Sequence, residues 1–367
     1  MSPSSVDPSP ASAGGATDSA SSPVIPGLPD DVAELCLLHL PFPHRPLARS
    51  VSSSWNRTLK TLKSLKSLYH PFLFVLSSRQ NRSRLHFHAF DPLSATWLLL
   101  PPPPTPFAGA SPVYPSAPSA VALREKGEIF LFGGMGSETG EVFRDVASYS
   151  VSTNSWSVRT PMGAKRSFFA AGAVGGRVVA AGGGEATDST AVERYEPDTG
   201  RWAPAAGMRC GMARYDAAVI GTKMFVTEGW TWPFTFSPRG EVYDAERDVW
   251  EEMSIGLREG WTGVSAVVGR TLFVVSEYGE GRVKVYDPAS DSWASVAGSG
   301  VPSEVRKPYA VSGAEEGRIY IVGKGLNVGV GTVVEEDGKG WSVHWELVKG
   351  PKSLEDLAPC SSQVLYA

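Results

Sequence analysis

The segment Ala191-Val192-Glu193-Arg194-Tyr195-Glu196-Pro197-Asp198-Thr199-Gly200-Arg201-Trp202 decides how this chain is read. An alternating stretch carries a tyrosine. A polar turn follows, and a tryptophan stands seven positions after the tyrosine. Alternation of period two marks a half-buried strand, and Asp-Thr-Gly marks a turn. The same offset recurs at Phe90/Trp97, Tyr149/Trp156, Tyr243/Trp250, Tyr286/Trp293 and Val334/Trp341. Successive tryptophans of the set lie 59, 46, 48, 43 and 48 residues apart. A fixed offset at a fixed period is a repeat, and a strand-built repeat of this length is a propeller blade.

Working outward, each unit keeps one order of parts. An apolar strand ends in glycines, as in Ile129-Phe130-Leu131-Phe132-Gly133-Gly134 or Val178 to Gly184. A variable loop, the tyrosine strand and the tryptophan strand follow. One more apolar strand, such as Phe168 to Val174, precedes the next glycine-ended strand, which makes four strands per unit. The first unit lacks its opening strand, and a strand is left over at Gln363-Val364-Leu365-Tyr366. If the leftover strand completes the first blade, the ring closes with six blades and no unpaired edge. Two units lack the paired glycine (Thr227-Glu228-Gly229 and Ser276-Glu277-Tyr278), which leaves the spacing intact. The repeat tryptophans are read as scaffold packed between blades.

The N-terminal part differs. Residues 1–23 are mostly Ser, Ala, Pro and Gly, too poor in apolar surface to offset chain entropy, and are expected to be disordered. Residues 24–69 read as helical. Pro29 with Asp30 and Asp31 starts a helix whose apolar positions are Val32, Leu35, Cys36 and Leu40. Pro41-Phe42-Pro43 ends it, and Leu47, Val51, Trp55, Leu59, Leu62 and Leu65 form a second stripe. So small an apolar unit needs a partner.

Net charge is −4, which argues against a chain built for nucleic acid. Three cysteines, Cys36, Cys210 and Cys360, make neither a disulfide framework nor a zinc cluster. No secretory leader and no membrane-length apolar run is visible. The expectation is an intracellular soluble protein of nucleus and cytoplasm. Nine Lys or Arg and no acid lie between Leu35 and Phe90. That run reads as a solvated face, or as a surface for an acidic adaptor protein, and not as a DNA reader.

Apolar strand, paired glycines, Tyr and then Trp together resemble kelch repeats. The string Ile25-Pro26-Gly27-Leu28-Pro29-Asp30-Asp31-Val32, with Leu40-Pro41 and Val51-Ser52-Ser53-Ser54-Trp55, resembles an F-box. The chain from about Ile25 onward is similar to the plant F-box/kelch family. The strings Ala33-Glu34-Leu35-Cys36-Leu37-Leu38-His39-Leu40-Pro41 and Val226-Thr227-Glu228-Gly229-Trp230 are the most distinctive. The resemblance implies an all-β six-bladed kelch propeller over residues 70–367, preceded by a small all-α F-box. It implies a non-catalytic adaptor: the F-box docks on Skp1 and through it on cullin, while the propeller presents a target for ubiquitination. It further implies a place in far-red light signalling through phytochrome A. By position, Leu28, Pro29, Val32, Leu35, Leu40, Val51 and Trp55 would carry the Skp1 contact. The alternatives are that the helices only pack on the propeller, or that the chain is an interaction scaffold outside any ligase.

For the target, residues nine positions before Arg177, Lys223, Arg270 and Arg318 are Phe168, Arg214, Trp261 and Tyr309. Periodicity places them around one rim, and aromatics with Arg are the residue types enriched at binding hot spots. The loop Trp230-Thr231-Trp232-Pro233-Phe234-Thr235-Phe236 adds aromatics for recognition or for covering the channel mouth. Enzyme readings are set aside, and neither a cofactor nor a metal is expected. His86 and His88 alternate on one strand face without further ligands. Glycine strings such as Gly182-Gly183-Gly184 end strands and do not open a phosphate-binding helix. Acid pairs such as Glu251/Glu252 fall in turns.

Overall fold

A computed structural model describes residues 23–61, 70–79, 85–104, 115–116, 118–136, 139–184, 189–212, 216–228, 237–276, 281–338 and 340–367. The tail expected to be disordered falls outside this set except for Pro23. The chain divides into two compact units, Met1–Lys66 and Ser67–Ala367.

In the second unit the described strands form six sheets arranged as blades, antiparallel except for the short edge strand Ala297–Gly298 that runs parallel to its neighbour in the sixth, with a small two-stranded ribbon beside them. The innermost strands, in chain order, are Ser119–Leu123, Ala170–Val174, Asp216–Ile220, Gly263–Val268, Ala310–Ala314 and Leu357–Tyr366. Each lies beside the next, and the last also lies beside the first, so the ring is closed. Closure is made as the strand count expected. Leu357–Tyr366 pairs with Pro71–Arg79, from Pro71↔Tyr366 to Arg79↔Leu357, and so supplies the first blade's missing strand. The closing strand is also fixed sideways. The Gln363 side chain accepts from Ala122 N at 3.1 Å and donates to Ala120 O at 2.9 Å, and Ser362 bonds Ser312 at 2.7 Å.

The seven-residue offset has a physical cause. In five blades the aromatic and the tryptophan are direct cross-strand partners: Phe90↔Trp97, Tyr149↔Trp156, Tyr195↔Trp202, Tyr243↔Trp250 and Tyr286↔Trp293. The turn between them ends in a left-handed residue: Ala95, Asn154, Gly200, Asp248 or Asp291, with φ of 53, 48, 66, 51 and 48°. Asn, Asp and Gly tolerate that region best. In three blades the same residue accepts the tyrosine hydroxyl. Tyr149 donates to Asn154 at 2.6 Å, Tyr243 to Asp248 at 2.7 Å and Tyr286 to Asp291 at 2.8 Å. Side chain and turn thus lock one register.

The sixth pair corrects the sequence reading. Trp341 stands opposite Glu335 and not Val334, because Glu336 pairs with Gly340 across a turn one residue shorter. A one-residue change in a period-two element turns the side chain to the other face. Trp345 takes the repeat position in that blade, opposite Gly331, where a Cβ would meet the indole at 2.7 Å.

The core lies between blades. Phe130 and Phe132 of the second blade pack on Val178, Ala180 and Tyr195 of the third, and Leu73, Val75 and Phe90 of the first pack on Tyr320, Val322 and Val328 of the sixth. Burial of each such aromatic contributes about 2–3 kcal/mol. Around the axis the inner strands leave a cavity of about 570 Å³ lined chiefly by small residues such as Ala171, Gly172, Ala217 and Ser265.

The described residues of the first unit hold three short helices, α1 (Asp30–Leu38), α2 (His44–Ala48) and α3 (Ser53–Thr61). The helix start at Asp30 agrees with the acids there. The second stripe is broken into α2 and α3 around Val51. Leu37, Ala48 and Leu59 form the buried centre, with Val24, Leu40 and Trp55 packed against it. Arg45 covers the end of α1, donating to Leu38 O at 3.1 Å and Leu40 O at 3.2 Å. Leu62 and Leu65 lie outside the described residues.

Candidate functional site

Two surfaces answer to the sequence expectations, one on each unit. In the helical unit Ala33 and Leu37 face inward on α1, which turns Val32 and Leu35 outward. Leu35 is 53% exposed and Val51 64%, and Leu28, Val32 and Leu47 are open as well. Pro29 is exposed beside them. Covering what remains open on each would contribute about 1 kcal/mol apiece. Five of the seven residues expected to meet an adaptor therefore sit at the surface: Leu28, Pro29, Val32, Leu35 and Val51. The other two are positioned differently. Leu40 and Trp55 pack against the buried centre, and the Trp55 indole donates to Val24 O at 2.7 Å. Trp55 thus serves this small fold first, and its ring is not a fully open anchor. Leu47 is the residue the sequence reading did not single out. It stands in the same apolar stripe as Val51 and Trp55 and is 55% exposed on α2.

On the propeller, Phe168, Trp261 and Tyr309 can be placed, whereas Arg214, Trp230 and Trp232 lie outside the described residues. Phe168 is 49% exposed with φ of 51°, an uncommon conformation for a bulky residue. Its neighbours fix it there. The Arg166 guanidinium is buried and bonds Glu193 at 2.8 Å, Gly182 O at 2.6 Å and Ala191 O at 2.8 Å. Glu193 also accepts Gly163 N at 2.6 Å and Ala164 N at 3.1 Å. Gly133 and Gly183 leave no room for a Cβ against the backbone of Arg166 and Ser167, at 2.6 and 2.5 Å.

Trp261 corrects the rim expectation. It is 1% exposed, and its indole donates to Asp216 at 2.9 Å. Burial pushes the Asp216 carboxyl up, while its bonds from Trp261 and Ser265 work the other way. Tyr309 is half-buried against the fifth and sixth blades, with Lys307 Nζ 5.9 Å from its ring centre. The alignment fails because the turns differ. Val174 pairs with Arg177 and Val268 with Thr271, so Arg270 lies inside its turn, while Ala314 pairs with Arg318 across a longer one. Counting back from strand pairs, Thr262 and Pro308 match Phe168, one residue away from Trp261 and Tyr309. That slip reverses the face.

Among the described residues, no group of three or more His, Cys, Asp or Glu side chains could hold a metal ion. His86 and His88 do share a face, with ring centres 6.3 Å apart. His88 is buried, and burial, with His86 beside it, lowers its pKa to about 4. Among the described residues, no helix is long and apolar enough to cross a membrane.

Comparison with known proteins draws these parts together. The model of the F-box domain matches residues 25–67, and that of the kelch motif matches residues 165–209. F-box protein AFR of Arabidopsis thaliana is 42% identical over 95% of this chain and 94% of its own length. The chain belongs to the plant F-box/kelch-repeat family. A second Arabidopsis F-box/kelch-repeat protein is 38% identical over 94% of this chain and 87% of its own. F-box and propeller together are the architecture of a non-catalytic adaptor that recognises a substrate for a ligase of the Skp1–cullin–F-box type.

Proposed function

We propose that this protein is the substrate-recognition subunit of a Skp1–cullin–F-box ubiquitin ligase. In this reading the F-box takes a Skp1-like adaptor, and through it cullin, while the propeller holds a target protein. Its mechanism is proximity: a bound target is kept near the ubiquitin-charged enzyme at a raised effective concentration. The observation that carries the reading is the open apolar set Leu28, Val32, Leu35, Leu47 and Val51 on so small a helical unit. Similarity to F-box protein AFR supports a role in plant far-red signalling through phytochrome A, and we propose nucleus and cytoplasm as its compartments. Phe168 is the described residue proposed for target contact, with Arg214, Trp230 and Trp232 beside it in sequence expectation.

Capture of a purified Skp1-like adaptor by the full chain tests the first step. Leu35→Asp combined with Val51→Asp is expected to abolish capture while thermal unfolding of the propeller stays unchanged. Undiminished capture by that variant would remove the helical unit from the mechanism.

A further inference from the structure

Blade interfaces in this ring are held by a recurring pair of polar ties, and one interface lacks both. The first tie runs from the outer-strand indole to a carbonyl just beyond the preceding blade's outer strand. Trp156 donates to Pro101 O at 2.9 Å, Trp202 to Thr160 O at 3.0 Å and Trp250 to Ala206 O at 2.7 Å. Trp293 donates to Gly256 O at 3.1 Å, and Trp345 to Ser299 O at 3.1 Å. Trp97, the member in the first blade, has its indole nitrogen buried with no partner among the described residues.

The second tie is a carboxylate that accepts amides of the connection leading into its own blade. Glu193 binds Gly163 and Ala164, and Glu241 binds Arg209 N at 2.9 Å and Cys210 N at 2.8 Å. In the fifth blade Asp291 does the same for Gly256 N at 2.9 Å and Leu257 N at 3.0 Å. The second and sixth blades keep the indole tie and have Ala147 and Gly329 where Glu193 and Glu241 stand. The first blade has His88 at that position. Its Nδ1 is buried with no partner among the described residues, and so is Ser77 Oγ on the adjoining strand. An unmet buried polar atom weakens a packed interface.

The connection into the closing strand is held by the sixth blade instead. Gly350 N donates to Asn327 Oδ1 at 2.9 Å, and a Cβ on Gly350 would strike Gly325 O and Leu326. Toward the first blade it offers the Arg79–Asp356 pair at 2.9 Å, which is solvent-exposed and hence weak. The innermost strand, by contrast, is fixed to both neighbours through Gln363 and Ser362.

From this contrast we infer that the ring has a built-in opening at the seam between the sixth and first blades. The rest of the first blade, strands Pro71–Arg79, Leu85–Asp91 and Thr96–Leu99, swings away from the sixth while the innermost strand stays in place. The apolar faces that part are Leu73, Val75 and Phe90 on one side and Tyr320 and Val322 on the other. This opening is a property of the propeller and does not depend on the ligase reading.

Thiol labelling of single buried cysteines in the full chain, with Cys36, Cys210 and Cys360 replaced by alanine, tests it. Val322→Cys lies at the seam, and Ala181→Cys at the matching place between the third and fourth blades, both fully buried. Val75→Cys on the seam face of the first blade and Ala180→Cys at the matching place between the second and third blades repeat the comparison, so that a variant that folds poorly does not decide the matter. Urea unfolding of each variant corrects for global stability. Two missing hydrogen bonds predict labelling at 322 and 75 at least about tenfold faster than at 181 and 180 after that correction. Equal or slower labelling at the seam positions would overturn the inference.

Discussion

In the helical unit, Leu37, Ala48 and Leu59 are buried while Leu28, Val32, Leu35, Leu47 and Val51 stay open. The propeller is many times longer, and its described residues leave six large apolar side chains comparably open: Leu93, Leu99, Val158, Phe168, Ile255 and Val334. The difference follows from geometry. Each blade has two neighbours to pack on, and the closing strand gives the last blade its second neighbour. Among the described residues, the helices of the first unit, nine, five and nine residues long, bury one face against one another. Openness in the first unit is therefore systematic, and in the second it is local. A systematic apolar surface marks an obligatory partner, whereas a local one such as Phe168 marks a contact made on occasion.

The sharpest way to break this contrast is to remove the closure. A chain ending before Leu357 loses the innermost strand of the first blade together with Gln363 and Ser362. Cooperative urea unfolding of the propeller is expected to vanish, and proteolysis to become rapid. Persistence of a cooperative transition would show that the ring does not depend on its last strand. Next in size is the helical surface. Leu35→Asp with Val51→Asp should weaken adaptor capture by more than about a hundredfold, on the scale of ~2 kcal/mol for each anchor, with stability unchanged. Trp55→Ala should instead lower both capture and the stability of the helical unit, because its indole and ring are used inside that unit. Equal behaviour of the two variants would erase the distinction between open and internal residues.

How much of this was legible in the sequence depends on how each feature is encoded. The ring was legible because Tyr, the left-handed turn residue and Trp are fixed relative to one another by one hydrogen-bonded hairpin, which writes a constant spacing into the chain. Closure was legible by counting strands. The rim was not, because the turns after the inner strands vary in length and a basic residue can sit in the turn or after it. Arg270 and Arg318 look equivalent to Arg177, yet their strand pairings place Trp261 and Tyr309 one residue away from the Phe168 position. The sixth pair failed for the same reason: one residue fewer in a hairpin moved Trp341 opposite Glu335. Strained Phe168 carries no sequence signal of its own, since its φ is imposed by Gly133, Gly183 and the buried Arg166 around it.

Within the propeller, the hairpin lock can be measured blade against blade. Tyr243→Phe removes a hydroxyl bonded to the Asp248 carboxylate at 2.7 Å and should cost about 1.5–2 kcal/mol of urea stability. Tyr195→Phe should cost much less, because Gly200 stands where three other blades have an accepting side chain. Equal losses would mean that the hydroxyl bond does not set the register.

The smallest effect concerns His88, which stands where Glu193 and Glu241 stand in other blades. Inside the fold it takes a proton only near pH 4, because burial and its neighbour His86 disfavour the charge. In the unfolded chain a histidine takes one near pH 6.5. Between these values the unfolded state binds a proton that the folded state refuses. Stability is therefore full above about pH 6.5 and falls as the pH drops toward 4. From pH 7 to 5.5 the loss due to this residue should be about 1 kcal/mol. His88→Gln should remove that part of the pH dependence while leaving the part due to other groups. A variant whose stability falls as steeply as the parent's would show that His88 is not the group that makes the seam acid-sensitive.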